Sequence, residues 1–112
     1  MSNLQVINDS NFAAEVENSS QPVMVDFYAD WCAPCIILGP VVEQLARDYS
    51  GRAKVVKFDV DQNEQVPMKL GIRGIPTAAF YKDGKLVDLV VGLVPKEELS
   101  RRLDSLLSQQ DH

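Results

Sequence analysis

The chain has 112 residues, of which 46% are hydrophobic and 24% are charged. This length and composition predict one globular domain over residues 1–112, with a core of its own. Acidic residues outnumber basic ones by 16 to 11, for a net charge of -5, and no basic cluster occurs. We therefore expect no binding to nucleic acids, because that binding needs Lys and Arg side chains to neutralise phosphates.

Strand and helix patterns alternate along the sequence. In chain order, we expect a strand over 4–7, a helix capped by Asp9 or Ser10, a strand over 23–29, a helix over 34–49, a strand over 53–60, a short helix over 64–70, strands over 77–82 and 86–91, and a last helix opened by Pro95. Crossover connections give parallel strands, and a hairpin gives an antiparallel pair. The order therefore predicts an α/β fold with a mixed five-stranded sheet and four helices.

Several local signals refine this outline. The run over 23–29 is apolar apart from Asp26, which is typical of a central strand buried on both faces. Asp83-Gly84 predicts a two-residue hairpin, and Pro40 falls inside the helix over 34–49, which we expect it to kink. The apolar positions of that helix recur at helical spacing and predict its buried face: Ile37, Leu38, Val41, Val42, Leu45, Ala46 and Tyr49.

The first ten residues have neither the basic segment nor the apolar run of a signal peptide. The longest uncharged apolar stretch is also far shorter than the ~20 residues that span a bilayer. We therefore expect no membrane association and a cytoplasmic location, or a reducing organelle if a transit peptide was removed.

The two cysteines, Cys32 and Cys35, exclude several kinds of site by their spacing. A disulfide between residues so close removes little chain entropy, so a disulfide-stapled secreted scaffold is not expected. Structural zinc usually takes four ligands, and the two cysteines with His112 do not supply them without another subunit. Haem attachment needs His directly after the second Cys, where this chain has Ile36. The remaining readings are a redox-active pair and two inert thiols.

The context of the pair favours the redox reading, because a buried strand ends and a helix begins there. Open N–H groups and the helix dipole stabilise an anion at a helix N-terminus, and Cys32 lies nearest that end. Pro34 lacks an N–H, which costs nothing in a first helical turn, and it stiffens the turn. Cys35 lies one turn further in, so we expect it to be the more buried thiol and to act as the resolving one.

Asp26 is the second residue with a chemical signature. A carboxylate buried in a central strand is costly unless paired, so its pKa should rise and it could move protons near neutral pH. With no His nearby, Asp26 is the natural base for Cys35, through water. Lys57, between Val56 and Phe58 in the next strand, is its expected partner. The alternative is that both residues lie at solvated strand ends.

Gly74-Ile75-Pro76-Thr77 precedes a strand, which predicts either an ordinary trans turn or a cis bond before Pro76. A cis bond would turn the backbone of Ile75 outward, free to pair with an extended peptide.

Together these residues resemble the thioredoxin family over nearly the whole chain. The strongest pieces are Val25-Asp26-Phe27-Tyr28-Ala29, Trp31-Cys32-Ala33-Pro34-Cys35, Asp61-Gln62-Asn63, Gly71-Ile72-Arg73-Gly74-Ile75-Pro76-Thr77 and Val91-Gly92. The resemblance implies the thioredoxin fold, Cys32 as the attacking cysteine and Cys35 as the resolving one. It also implies that Asp26 is the family's buried acid, that Lys57 tunes it, and that Pro76 is a cis-proline. The implied substrate-binding rim consists of Trp31, Ala33, Pro34, Gly74, Ile75, Pro76 and Gly92.

The reaction that the resemblance implies is reduction of protein disulfides. Cys32 would attack a target disulfide, and Cys35, deprotonated with help from Asp26, would release the reduced target. The partners would be disulfide-containing proteins and a thioredoxin reductase, either an NADPH flavoprotein or a ferredoxin-linked one. The chain would act as a monomer, with no bound cofactor and no metal.

Several residues depart from the family pattern, Pro67 and Pro95 among them, and they affect what can be carried over. Ala33 replaces the usual Gly, for which we expect a shifted reduction potential, because Ala restricts the backbone. Ile36 replaces a common basic residue, and Tyr28 stands where Trp is usual. Other readings are an oxidase or isomerase of the same fold, a binding module that uses the surface of Trp31, Ile75 and Gly92, and an intersubunit zinc site.

Overall fold

The computed structural model describes residues 4–108 and contains strands and helices in the predicted order. The elements are β1 (Gln5–Ile7), a short π-helix (Ala13–Glu17), β2 (Val23–Tyr28), α1 (Ala33–Asp48), β3 (Lys54–Asp59), α2 (Gln65–Leu70), β4 (Thr77–Lys82), β5 (Lys85–Val91) and α3 (Lys96–Ser108). None of the helices in this part of the chain is long and apolar enough to cross a membrane.

The five strands form one mixed sheet in the order β1-β3-β2-β4-β5. β3 runs parallel to both β1 and β2, whereas β4 pairs antiparallel with β2 and with β5. The predicted α/β architecture is therefore confirmed. β2 lies at the centre, as its apolar run predicts.

Alternation along β2 divides the core into two layers. Met24 belongs to the layer that α1 and α3 cover, together with Leu38, Val42, Leu45, Leu99 and Leu103. Val25 and Phe27 belong to the opposite layer, which the π-helix covers with Phe12 and Val16. Asp26 and Tyr28 alternate with Val25 and Phe27, so they lie on the α1 side of the sheet.

The predicted cap of the first helix is wrong. Phe12 occupies the N-cap position of the π-helix and makes no side-chain cap bond. The Asp9 carboxylate instead accepts hydrogen bonds from the backbone N–H groups of Gln65 (3.1 Å) and Val66 (2.9 Å), at the start of α2. A helix N-terminus leaves N–H groups without intrahelical partners, and Asp9 satisfies two of them across the fold.

α1 begins with Cys32 as its N-cap and contains Pro40 in its interior. The helix buries Leu38, Val42 and Leu45, but Ile37 is 61% exposed, contrary to the prediction. At 3.6 residues per turn, Ile37 lies about 100° from the line of the other three, on the solvent side. The apolar spacing identified the helix correctly and assigned one residue too many to its buried face.

The hairpin between β4 and β5 confirms its sequence signal. Asp83 and Gly84 both have positive φ, 53° and 79°, as a two-residue hairpin turn of this kind requires. Gly84 also has no room for a side chain, because a Cβ there would lie 2.5 Å from the carbonyl oxygen of Glu17. The tip of the hairpin therefore packs against the end of the π-helix.

Candidate active site

Cys32 and Cys35 are joined by a disulfide at the N-terminus of α1, with Cα atoms 5.2 Å apart. The backbone N–H of Cys35 donates a hydrogen bond to Cys32 Sγ at 3.3 Å. Pro34 lies in the first turn, where its missing N–H leaves no helical bond unmade. The Cys32 sulfur thus caps the helix N-terminus, and this end of the helix would stabilise negative charge on Cys32 in the reduced protein.

Both cysteines are buried to the same degree, at 4% and 5% exposure, so the prediction that Cys35 is the more buried is wrong. They form a small cluster with Ala29, against which Tyr28, Val60 and Ile75 pack. Cys32 Sγ lies 3.8 Å from the carbonyl oxygen of Ile75. Ile75 is distant in sequence but covers Cys32 in the fold. The position of Cys32 along the helix could not predict this contact.

Asp26 is 1% exposed, and neither of its carboxylate oxygens has a hydrogen-bond partner among the described residues. Burial raises the pKa of Asp26 to about 6, and the positive charge of Lys57 offsets part of that rise. The carboxyl group can therefore gain or lose a proton near neutral pH. The alternative, that Asp26 lies at a solvated strand end, is excluded.

Lys57 stands opposite Asp26 in the pairing of β2 with β3. Within residues 4–108, no salt bridge joins the two side chains, although the charge of Lys57 lowers the pKa of Asp26. The ammonium of Lys57 lies over the ring of Tyr28, with Nζ 4.1 Å from the ring centroid. In the sequence, Tyr28 belongs to a family motif and departs from the usual Trp, but this contact was not predicted.

The segment before β4 lies beside the disulfide. The Ile75–Pro76 bond is cis, as the resemblance implies. The carbonyl of Pro76 accepts a hydrogen bond from the N–H of Gly92 at 2.8 Å, and the hydroxyl of Thr77 donates to the carbonyl of Gly74 at 2.6 Å. The structure thus brings Gly74, Ile75, Pro76 and Gly92 together next to Cys32.

Trp31 directly precedes Cys32 in the chain and is 70% exposed. Its indole N–H donates to Asp61 Oδ2 at 2.6 Å, which fixes the ring against the loop after β3. Ala33 and Pro34 are exposed beside it, and Ile36 is 63% exposed. The surface around the cysteines is therefore open and largely apolar. In the sequence, Asp61 stands out only as part of the Asp61-Gln62-Asn63 motif, and its hydrogen bond to Trp31 was not predicted.

The zinc alternative gains no support from the residues that the structure describes. Over 4–108, no three His, Cys, Asp or Glu side chains are grouped so that they could hold a metal ion. His112, which that alternative invoked, lies outside the described residues.

Comparison with known proteins agrees with this geometry. The thioredoxin family profile matches residues 3–105. Thioredoxin 1 of Nostoc sp. is 49% identical over 107 residues, covering 96% of this chain and all of the relative. Thioredoxin of Pseudomonas aeruginosa is 41% identical over 99 residues, 88% of this chain and 92% of the relative. Thioredoxin M-type, chloroplastic, of Pisum sativum is 41% identical over 104 residues, 93% of this chain and 60% of the relative. The chain therefore belongs to the thioredoxin family and is a thiol–disulfide oxidoreductase that reduces protein disulfides.

Proposed function

We propose that Cys32 is the nucleophile and Cys35 the resolving cysteine of this reduction. The Cys32 thiolate attacks one sulfur of a target disulfide, forms a mixed disulfide and releases the first target thiolate. The Cys35 thiolate then attacks the Cys32 sulfur, closes the Cys32–Cys35 disulfide and releases the second target thiolate. Two electrons pass from the dithiol to the target. The two protons lost by Cys32 and Cys35 balance the two that the target thiolates take up.

The observation that carries this assignment is the helix N-cap position of Cys32, with the N–H of Cys35 directed at its sulfur. A free thiol of pKa ~8.5 is about 3% ionised at pH 7. A partly buried helix N-terminus stabilises an anion by at most ~2 kcal/mol, which raises the ionised fraction to a few tens of percent. Such a thiolate is abundant enough to attack and basic enough to remain a good nucleophile.

We assign Asp26 as the proton acceptor and donor for Cys35, acting through water, and Lys57 as the group that tunes it. The raised pKa of about 6 supports this role, because a base of that pKa is ionised at neutral pH and still accepts a proton readily. Asp26 lies on the face of the sheet that α1 covers, and α1 carries Cys35.

The substrate-binding surface that we propose surrounds the disulfide. It consists of Trp31, Ala33, Pro34, Gly74, Ile75, Pro76 and Gly92. An extended segment of a target protein can lie along the backbone of Gly74 and Ile75, beside Cys32, while apolar side chains contact the exposed ring of Trp31. Ile36 adds apolar surface next to the first turn of α1, which favours targets with apolar residues near the disulfide.

Protein targets and a reductase are the partners that a thioredoxin requires. We propose that the donor is an NADPH flavoprotein or a ferredoxin-linked reductase, and that the chain acts as a monomer. No bound cofactor is needed, because the two thiols themselves hold the electrons. We propose a cytoplasmic location or a reducing organelle, and the similarity to the chloroplastic M-type thioredoxin of Pisum sativum supports the second possibility.

The two cysteine variants test these roles together. The reduced protein is mixed with a protein disulfide, and covalent adducts are resolved by non-reducing electrophoresis and mass spectrometry. We expect Cys35→Ser to accumulate one equivalent of mixed disulfide on Cys32, and Cys32→Ser to form none and to lose turnover. Capture by Cys32→Ser with none by Cys35→Ser would reverse the roles. Full biological activity of Cys32→Ser would instead favour a non-catalytic binding module.

A further inference from the structure

Tyr28 lies between the two chemical parts of the proposed site. Its side chain packs against the buried cluster that contains both cysteines. On β2 it follows Asp26 by two residues, so both side chains leave the same face of the sheet. Its ring also contacts the ammonium of Lys57, at 4.1 Å from Nζ to the ring centroid. Tyr28 is therefore a direct neighbour of the cysteines and of the charge that acts on Asp26.

Strand pairing places Lys57 opposite Asp26, and Lys57 acts on it without a salt bridge among the described residues, so no direct ion pair fixes where the ammonium lies. A lysine ammonium sits on a flexible stem of four carbons and is strongly hydrated, so it readily turns toward water. The face of an aromatic ring attracts a cation through the ring quadrupole. Tyr28 supplies that face on the α1 side of the sheet.

We propose that Tyr28 is a positioning residue whose ring holds the ammonium of Lys57 near the Asp26 carboxylate. This inference rests on the proposed role of Asp26 as the proton acceptor and names the group that keeps its tuning charge in place. Without the ring, the ammonium of Lys57 is free to turn to solvent. The negative charge on Asp26 then loses part of its compensation.

The other charged groups around this contact are few. Asp59 stands opposite Tyr28 on β3, and Asp30 follows β2. Burial and the charges of Asp59, Asp30 and Asp26 raise the pKa of the Tyr28 hydroxyl, so the ring stays neutral at physiological pH. From β4, Asp26 faces Ala78, and from β1, Lys57 faces Val6, neither of which carries a charge.

The test measures the pKa of Asp26 in the oxidised protein by carbon-13 NMR titration of its carboxyl group. We expect Tyr28→Leu to raise that pKa by about 0.5, a roughly threefold fall in the ionisation constant, the size expected for loss of a partly exposed cation–ring contact. Tyr28→Phe and Tyr28→Trp keep the aromatic face and should leave the pKa unchanged. Tyr28→Met removes the ring with an unbranched side chain that adapts to its surroundings, and it repeats the test if Tyr28→Leu fails to fold.

The same substitutions in a Lys57→Met background separate positioning from simple packing. If Tyr28 acts through Lys57, replacing the ring should no longer move the pKa of Asp26 in that background. An equal change with and without Lys57 would mean that the ring only excludes water from Asp26, and it would overturn the proposal. So would an unchanged pKa in Tyr28→Leu and Tyr28→Met.

This measurement needs no turnover, so its outcome is independent of the proton-transfer role of Asp26. That role fails if Asp26→Asn leaves the rate and pH profile of target reduction unchanged. The NMR titration of Asp26 would still decide, by itself, whether Tyr28 acts on Asp26 through Lys57.

Discussion

Replacing Asp26 by Asn should make the protein more stable at high pH. The folded protein raises the pKa of this carboxyl from 3.8 to about 6, mainly through burial. Between these two values the folded state binds the proton more tightly than the unfolded state. The free energy of unfolding therefore falls as the pH rises through this window, and the loss is complete about one pH unit above the folded-state pKa.

The size of the effect follows from the two pKa values. They differ by about 2.2, which corresponds to about 3 kcal/mol at about 1.36 kcal/mol per pKa unit. Part of the window lies close to the isoelectric point of about 4.7, where solubility is poor. Integrating only from pH 5 to pH 8 leaves about 1.4 kcal/mol, which is well within the reach of urea unfolding.

The assay compares urea unfolding of the oxidised wild type and Asp26→Asn at both pH values. The stability of Asp26→Asn relative to wild type should increase by about 1.4 kcal/mol from pH 5 to pH 8. Asp30→Asn removes a negative charge at an exposed position nearby and serves as the matched control, with no such increase expected. An equal stability difference for Asp26→Asn at both pH values would refute the argument that a buried, ionised carboxylate destabilises the fold.

Three further predictions concern the fold and the redox motif. Gly51→Ala should lower the free energy of unfolding in urea by about 1–2 kcal/mol, because φ is +86° there. Gly84→Ala should lower it further, because its Cβ would also meet the Glu17 carbonyl. Equal decreases for the two variants would contradict this contact. Asp9→Ala should lower the free energy of unfolding by about 1 kcal/mol through loss of the α2 cap, and an unchanged urea midpoint would exclude that role. Ala33→Gly should change the reduction potential measured against glutathione, and an identical potential would show that the backbone freedom of this position has no effect.

The features that local sequence determines were predicted well. β4 has the predicted bounds, and the turn at Asp83 and Gly84 has the positive φ angles that its residues favour. The burial of Asp26 also followed from one acid within an apolar run, because a central strand offers water on neither face. In each case the signal that allows the prediction lies within a few residues along the chain.

Apart from the exposure of Ile37, the features that were missed depend on segments far apart in sequence. Asp9 caps a helix that starts more than fifty residues later, so no rule based on neighbouring residues could assign it. Cys32 lies against the carbonyl of Ile75, and the ammonium of Lys57 lies over the ring of Tyr28. Strand pairing brings these groups together in the fold, and their spacing along the chain does not predict their contacts.

The central position of β2 has a consequence for synthesis of the chain on the ribosome. β2 (Val23–Tyr28) emerges early, but both of its partners, β3 (Lys54–Asp59) and β4 (Thr77–Lys82), follow it along the chain. A nascent chain that ends before β3 therefore presents an unpaired apolar strand with the cysteine motif directly behind it. Pairing between such distant segments forms slowly. The two thiols are thus made well before the structure that buries them, so they remain accessible to oxidants and to other thiols until β4 is in place.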